Sequence, residues 1–283
     1  MSRVLGIDVG GTKIAIGCSD ADGPVLAGHV RLRTGDDPLA TALAAARDLA
    51  GAPAAVGFST TGVIRQGVVR LAPNVPGWDG LELPRLLREA YAPVPVAIDN
   101  DVNAAAAAEL RWGALRGVSC GLYLNLGTGL AAALVVDGRV FAGAHGAAGE
   151  IGYVLTDPGS PGFAAGHAPL EDRFSGAGLA RQASAELGTP TTAAELFAGD
   201  ALPHLVEAAL ADLTTAVANL CVSLDPECLV VGGGLMGAAP VILPALEERL
   251  RRTVPFPPRV RRARFADDAS LLGALALARS MVE

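Results

Sequence analysis

Asp8-Val9-Gly10-Gly11-Thr12-Lys13 places an acid, two glycines, a hydroxyl and a cation in one short run. Glycines let backbone N–H groups approach a phosphate without interference from a Cβ, while Thr12 and Lys13 add a hydroxyl and a charge. Asp8 is the residue type that holds hydrated Mg²⁺. The same run also reads as a plain tight hairpin with an acid before its turn. Leu126-Gly127-Thr128-Gly129 repeats the device in the second half, and Gly232-Gly233-Gly234 is a third glycine cluster, either a nucleotide-contacting turn or simply a turn. Asp99-Asn100-Asp101 offers what phosphorylation of an alcohol needs, a carboxylate to take the hydroxyl proton and an amide to fix the acceptor. Asp and Asn are equally the residues that cap helices.

The elements that must position these groups follow from hydrophobic spacing. Apolar segments 4–9 and 14–18 flank Gly10-Gly11-Thr12 as a β-hairpin. A helix is predicted over 39–49, short buried strands over 54–58 and 94–98, and a helix over 104–110, so the acidic triplet falls where a strand ends and a helix begins. A second apolar pair, 121–126 and 130–136, surrounds the Gly-Thr-Gly turn much as at the start of the chain, which suggests two related lobes. After Gly176 the pattern is helical until a strand at 229–231 enters the glycine cluster, and 269–281 is again helical. Strands alternating with helices indicate the α/β class. Segment 249–264 concentrates arginine among prolines and reads as a solvated loop and edge strand, with polyanion binding as the minority reading.

The 283 residues suffice for a sizeable core. A net charge of −7 offers no field that would draw nucleic acid or an anionic membrane, so a small-molecule partner is favoured. Lys13 is the one lysine among 22 basic residues, which marks a place where a compact ammonium is needed in preference to a planar guanidinium. Cys18, Cys120, Cys221 and Cys228 lack paired spacing and suit a reducing cytosol. Asp8 interrupts the apolar start where a signal peptide would need continuity, so a cytoplasmic location is expected. Stretches 117–136 and 228–246 carry no charge over about a membrane-span length, yet glycine and proline turns break both, so neither is expected to span a bilayer.

Taken in order, Asp8-x-Gly-Gly-Thr-Lys, Asp99-Asn100-Asp101-Val102-Asn103-Ala104-Ala105 and Leu126-Gly127-Thr128-Gly129 resemble the ROK family of repressors, open reading frames and sugar kinases. Pro73-Asn74 with Trp78, 146–152, Leu170-Glu171 leading to Ser175-Gly176, and 231–234 extend the match along nearly the whole chain. The resemblance implies an actin-like (ribonuclease H-like) ATPase fold of two lobes with a cleft between them. Residues 1–113, completed by a helix at 268–283, would form the small lobe and 114–267 the large one. It implies an ATP- and Mg²⁺-dependent kinase acting on a hydroxyl of a hexose, aminosugar or sugar-like cyclitol, and a homodimer. By position Asp101 matches the catalytic base; Asn100, Glu150 and Glu171 match sugar-binding residues; Gly62 and Asn74 lie in pocket-lining segments. Gly10, Gly11, Thr12, Lys13, Gly127, Thr128 and Gly129 match the phosphate loops, with Gly232, Gly233 and Gly234 beside them and Asp8 holding Mg²⁺ through water.

The sequence also departs from the family pattern. Most family kinases carry a structural zinc on a histidine after the residue matched by Gly152 and on a C-x-C-G-x-x-G-C run. Here Tyr153 replaces the histidine and 162–169 has no cysteine, so thiolate-based zinc is not expected. His145 and His167 read as ordinary loop residues. Tyr153 can still donate its phenol to an acceptor. In Gly129-Leu130-Ala131-Ala132-Ala133, alanines stand where more glycine is common, which would narrow a phosphate approach. Two alternatives stay open: inorganic polyphosphate as donor to glucose, motivated by the arginines of 249–264, and a non-catalytic sugar sensor. A family repressor would carry an extra DNA-binding domain, which this acidic chain is not expected to have.

Overall fold

A computed structural model describes residues 2–20 and 22–283. The chain runs β1 (Val4–Val9), β2 (Lys13–Ser19), β3 (Gly28–Arg33), α1 (Pro38–Ala50), β4 (Ala55–Thr60), β5 (Val63–Arg65), β6 (Val68–Arg70), α2 (Leu83–Tyr91), β7 (Val96–Asn100) and α3 (Asp101–Trp112). It continues through β8 (Gly121–Leu126), β9 (Leu130–Val136), β10 (Arg139–Phe141), α4 (Pro169–Arg173), α5 (Gly176–Leu187), α6 (Ala193–Ala198) and α7 (Pro203–Leu224). β11 (Cys228–Gly232), α8 (Ala239–Thr253), β12 (Arg259–Arg262) and α9 (Ala269–Ser280) complete it. Two compact units result. Unit 1 is Met1–Gly117, Arg139–Ala148 and Asp268–Glu283; unit 2 is Val118–Gly138 and Gly149–Asp267. Segment 139–148 thus groups with unit 1, although the family resemblance assigns it to the 114–267 lobe.

In unit 1 the sheet order is β3-β2-β1-β4-β7, with β1 antiparallel to β2 and parallel to β4, and β4 parallel to β7. Alternation along each strand divides its side chains between two faces. Leu5, Ile7, Val9, Val56 and Phe58 pack with Ala42 and Ala46 of α1 and with Leu83 and Leu87 of α2. The opposite face carries glycine where α9 lies against it. A Cβ on Gly57 would sit 1.7 Å from the Ala274 carbonyl oxygen, and one on Gly273 would sit 2.0 Å from that of Ala104 in α3. Close backbone approach therefore locks α9 between the sheet and α3. Helix α1 starts where its sequence says it should, with Asp37 accepting from Ala40 N and Pro38 opening the first turn.

Unit 2 repeats the motif. β8 is antiparallel to β9 and parallel to β11, which is parallel to β12. Leu122, Leu124, Leu126, Leu229 and Val231 pack against Leu213 and Val217 of α7 and Ile242, Leu246 and Leu250 of α8. The two uncharged stretches resolve into strands, turns and the start of α8. Helix α7 is the one described helix with the length and apolarity of a membrane span, and Ala209, Leu213, Val217 and Cys221 on it are buried in this core. In segment 249–264, α8 continues to Thr253, so Arg249, Arg251 and Arg252 are helical where a loop was expected; Arg259–Arg262 is the expected edge strand.

Candidate active site

In unit 1 the carboxyl ends of three adjacent parallel strands align Asp8 with Ser59 and Ser59 with Asp99; one residue further, Val9, Thr60 and Asn100 are aligned. Ligands of open α/β sheets gather at this end. Asp8 is 7% exposed and accepts a 2.7 Å hydrogen bond from Ser59 Oγ. Burial pushes its carboxyl up to about 7. The Ser59 bond opposes the rise, the charge of Asp101 adds to it, Lys13 lowers it and Asp268 raises it.

Asp101 opens α3. Burial pushes its carboxyl up to about 6 against the opposing N–H of Val102, 2.9 Å from Oδ1. The capping expected of this triplet is carried by Asn100, whose Oδ1 accepts from Asn103 N at 2.7 Å. Asp99 Oδ1 accepts from Asn100 N and from Asn103 Nδ2, both at 2.8 Å, and burial raises its carboxyl as well. The three members of Asp99-Asn100-Asp101 therefore divide the work. Asp99 anchors, Asn100 caps, and Asp101 stands on the first turn with its charge favoured by the helix dipole.

The β1–β2 loop is held from outside. Gly10 N donates to the Lys13 carbonyl at 2.9 Å, while Thr34 Oγ1 donates to the Gly10 carbonyl at 2.7 Å and Thr34 N to that of Thr12 at 3.2 Å. A Cβ on Gly11 would meet the Asn74 carbonyl oxygen at 3.0 Å and the Asn74 Cβ at 3.1 Å, so the structure brings Asn74 against the glycine loop. Trp78, buried, fixes the Asn74 segment by donating Nε1 to Thr60 Oγ1 at 2.6 Å. Gly62 has φ +77° and no room for a Cβ, which would stand 2.4 Å from the Arg70 carbonyl oxygen. Turn geometry alone requires glycine there.

In unit 2 the Gly127-Thr128-Gly129 turn is tied to two helices. Gly176 N and Ala177 N of α5 donate to the carbonyls of Gly127 (2.8 Å) and Thr128 (3.0 Å), and Leu130 N donates to Glu171 Oε2 of α4 (2.8 Å). Gly127 N bonds the Gly129 carbonyl at 3.0 Å. Of the turn's N–H groups, those of Thr128 and Gly129 lie outside this network. Ala132 and Ala133 are buried within β9, while Ala131, nearer the turn, is half-buried. Glu150 precedes a short 3₁₀ turn, Ile151–Tyr153, and Gly152 of that turn packs on Glu171, its missing Cβ leaving 3.1 Å to Glu171 Cβ. Tyr153 meets Phe163 edge to face, with centroids 5.4 Å apart and planes at 86°. After β11, Gly233 turns at φ +97° against the Leu126 carbonyl, while Gly234 borders open space.

Sequence reasoning missed Ser59, Thr34 and Phe163. Ser59 and Thr34 reach the site through strand register, and no local pattern announces that. Phe163 lies in a segment whose sequence signal is its lack of cysteine. Among the described residues no group of three or more His, Cys, Asp or Glu side chains is arranged to hold a metal ion. Asp8, a hard oxygen donor buried at an energetic cost that a cation would offset, fits hydrated Mg²⁺, which needs only one or two carboxylates when phosphates supply further ligands.

Twin sheets, each opened by a hairpin with a glycine turn, and the acids Asp8 and Asp99 at the strand ends of unit 1 define a phosphotransferase on the actin-like ATPase fold. The chain belongs to the ROK family, whose model matches residues 4–281. It is similar to N-acetylmannosamine kinase of Shigella flexneri, at 31% identity over 292 residues, covering 97% of this chain and 98% of that protein. Its structure is similar to that of a ROK hexokinase from Thermus thermophilus, with TM-score 0.81, 34% identity and 99% of each chain covered. A ROK family glucokinase from Streptomyces griseus, solved in complex with glucose and AMPPNP, aligns with TM-score 0.78 and 27% identity over 98% of this chain and 99% of that one. This protein is a carbohydrate kinase of that family.

Proposed function

We propose that the protein transfers the γ-phosphoryl group of ATP to a hydroxyl of a hexose, aminosugar or sugar-like cyclitol, with Asp101 as the base. The observation that carries this reading is the environment of Asp101: a carboxylate at a strand end, on the first turn of α3, raised by burial to about 6. Such a group is ionised at neutral pH and still basic enough to accept a proton as it is released. It orients the acceptor oxygen towards the γ-phosphorus. As the new O–P bond forms and the bond to the ADP oxygen breaks, the hydroxyl proton passes to Asp101 and ADP departs with the electron pair.

Asn100 has its Oδ1 committed to the cap and presents its NH₂ to the acceptor. Asn74, Glu150, Tyr153 and Glu171, with Gly62 shaping the adjoining turn, complete acceptor binding in this reading. Gly10, Gly11, Thr12, Lys13, Thr128 and Gly129 hold phosphates through N–H groups, a hydroxyl and an ammonium, Gly127 gives their turn its shape, and Gly232, Gly233 and Gly234 border the nucleotide. Asp8 would hold Mg²⁺ through water, and the ion when bound supplies neutralisation of phosphate charge. The reading takes the protein as a cytoplasmic homodimer that needs no zinc, nucleic acid or membrane. Inorganic polyphosphate is the alternative donor, supported by the exposed arginines of β12.

ADP release from Mg-ATP, measured against glucose, N-acetylmannosamine, other hexoses and cyclitols, tests the proposal, with polyphosphate as a second donor. Asp101→Asn is expected to lower kcat at least about a hundredfold while acceptor binding persists. In the wild type, kcat is expected to fall as pH drops through about 6, because protonated Asp101 is no base. Near-normal turnover in the variant would sink the assignment.

A further inference from the structure

Phe163 is 63% exposed, an unusual position for a large aromatic ring that fills no core. Among the described residues its ring partner is Tyr153, met edge to face. The two rings come from the ends of one loop in unit 2, and each end is fixed. Tyr153 closes the 3₁₀ turn that follows Glu150, with Tyr153 N donating to the Glu150 carbonyl at 3.3 Å and Val154 N to that of Ile151 at 3.0 Å. Ile151 is buried, and Gly152 lies directly on Glu171 and on the Leu130 carbonyl.

Phe163 begins its own 3₁₀ turn, Phe163–Ala165, closed by Ala165 N on the Gly162 carbonyl (2.9 Å) and Gly166 N on that of Phe163 (2.9 Å). Between the rings the loop is cross-tied at Asp157, whose carboxylate accepts from Gly159 N and Ser160 Oγ, each at 2.8 Å. The Tyr153 phenol is raised above its ordinary value by partial burial first and then by the charges of Glu150 and Glu171. That places the hydroxyl in the field of both carboxylates.

We propose that Phe163 is a positioning residue for the acceptor: with its ring perpendicular to that of Tyr153, it holds the phenol beside Glu150 and Glu171, where the three groups read neighbouring hydroxyls of one polyol. This rests on the kinase reading above. An edge-to-face pair is worth enough to change occupancy of the aligned rotamer several-fold. Phe163 touches no reacting atom in this scheme, so its loss appears in acceptor affinity and leaves the chemical step alone.

The test uses the full chain with Mg-ATP and two probes, glucose and N-acetylmannosamine. Phe163→Ala is expected to raise acceptor KM about three- to tenfold, with kcat and the KM for ATP within about twofold. Phe163→Tyr, which keeps the aromatic ring, restores the wild-type KM. Phe163→Ala adds nothing further in a Tyr153→Phe background, because the phenol it positions is already gone.

A second readout is independent of turnover. Ultraviolet titration of tyrosine, with the Tyr153 signal assigned by difference against Tyr153→Phe, is expected to give a lower ionisation midpoint in Phe163→Ala as water reaches the phenol. An unchanged midpoint overturns the proposal whether or not either sugar reacts. So does an acceptor KM that rises equally with and without the Tyr153 hydroxyl. A moved midpoint in a protein that phosphorylates neither probe supports the positioning of Tyr153 and counts against the kinase reading of these acceptors.

Discussion

The hairpins β1–β2 and β8–β9 have the same backbone plan, an antiparallel pair whose first strand also pairs in parallel with a later strand, β4 in one unit and β11 in the other. The penultimate residue of the first strand is Asp8 in unit 1 and Asn125 in unit 2, facing Ser59 and Gly232 respectively. In unit 1 the turn residues Gly10 to Lys13 are fastened mainly by Thr34 and keep a lysine at their end. In unit 2 the turn's carbonyls are occupied by the N-terminus of α5 and its following N–H by Glu171. One scaffold, used twice, thus takes two forms: a charged acid–lysine loop in unit 1, and in unit 2 a neutral turn whose attachments include the Glu171 carboxylate.

Asp8→Asn is the change that strikes hardest at this asymmetry. Turnover is expected to fall roughly a hundredfold or more, and Asn125→Asp is not expected to restore it. The same variant has a stability signature with a defined sign. Asp8 binds its proton more tightly when folded, so the stability it contributes is fully present below its unfolded value and is lost as pH rises through about 7. Without Mg²⁺, Asp8→Asn should therefore melt a few degrees above the wild type at pH 8, with the gap closing near pH 4. A variant less stable than the wild type at pH 8 would contradict the buried-acid reading.

Glu171→Gln sharpens the other side of the comparison. Its side-chain oxygen can still take the Leu130 N–H, so the turn survives, while the charge proposed to meet the acceptor is removed. Acceptor KM is expected to rise about tenfold, with the KM for ATP little changed. A larger effect on ATP than on acceptor would mean that Glu171 serves the turn before it serves the sugar. Ser59→Ala is expected to be mildest. Losing the Ser59 hydrogen bond raises the Asp8 carboxyl further, so activity should be within about threefold of wild type at pH 8.5 and fall away at higher pH than normal on acidification. Coincident pH profiles for the two proteins would show that Ser59 does not tune Asp8.

What the sequence made legible was local. Glycine turns between apolar segments, and acids at the junction of a strand and an alanine-rich helix, identified both hairpins, α3 and the Asp99-Asn100-Asp101 cluster from neighbouring residues alone. Contacts set by register or by distant packing were not readable. Ser59 lies 51 positions from the carboxylate it supports, and Thr60 receives Trp78 only because a turn brings the indole back to β4. Phe163 has the look of loop filler in the sequence, and only the fold sets its ring on Tyr153. The end of α8 misled for a different reason: arginines ahead of a proline cluster suggested a loop, although arginine is a good helix former and the helix runs on to Thr253.

The place of α9 has a consequence for how the protein is made. Unit 1 draws residues 1–117 from before unit 2 and its closing helix from residues 268–283 after it, and Gly57 meets Ala274, and Ala104 meets Gly273, only once α9 itself has been synthesised. During translation the sheet that carries Asp8, and leads through β7 into α3 and its Asp101, must wait, one face uncovered, while unit 2 can assemble ahead of it. At the ribosome's pace of about 5–20 residues per second this interval lasts on the order of ten seconds. The unit that holds Asp8 and Asp101 is then completed only when α9 is made, and a chain cut short before α9 is expected to lack activity however well unit 2 folds.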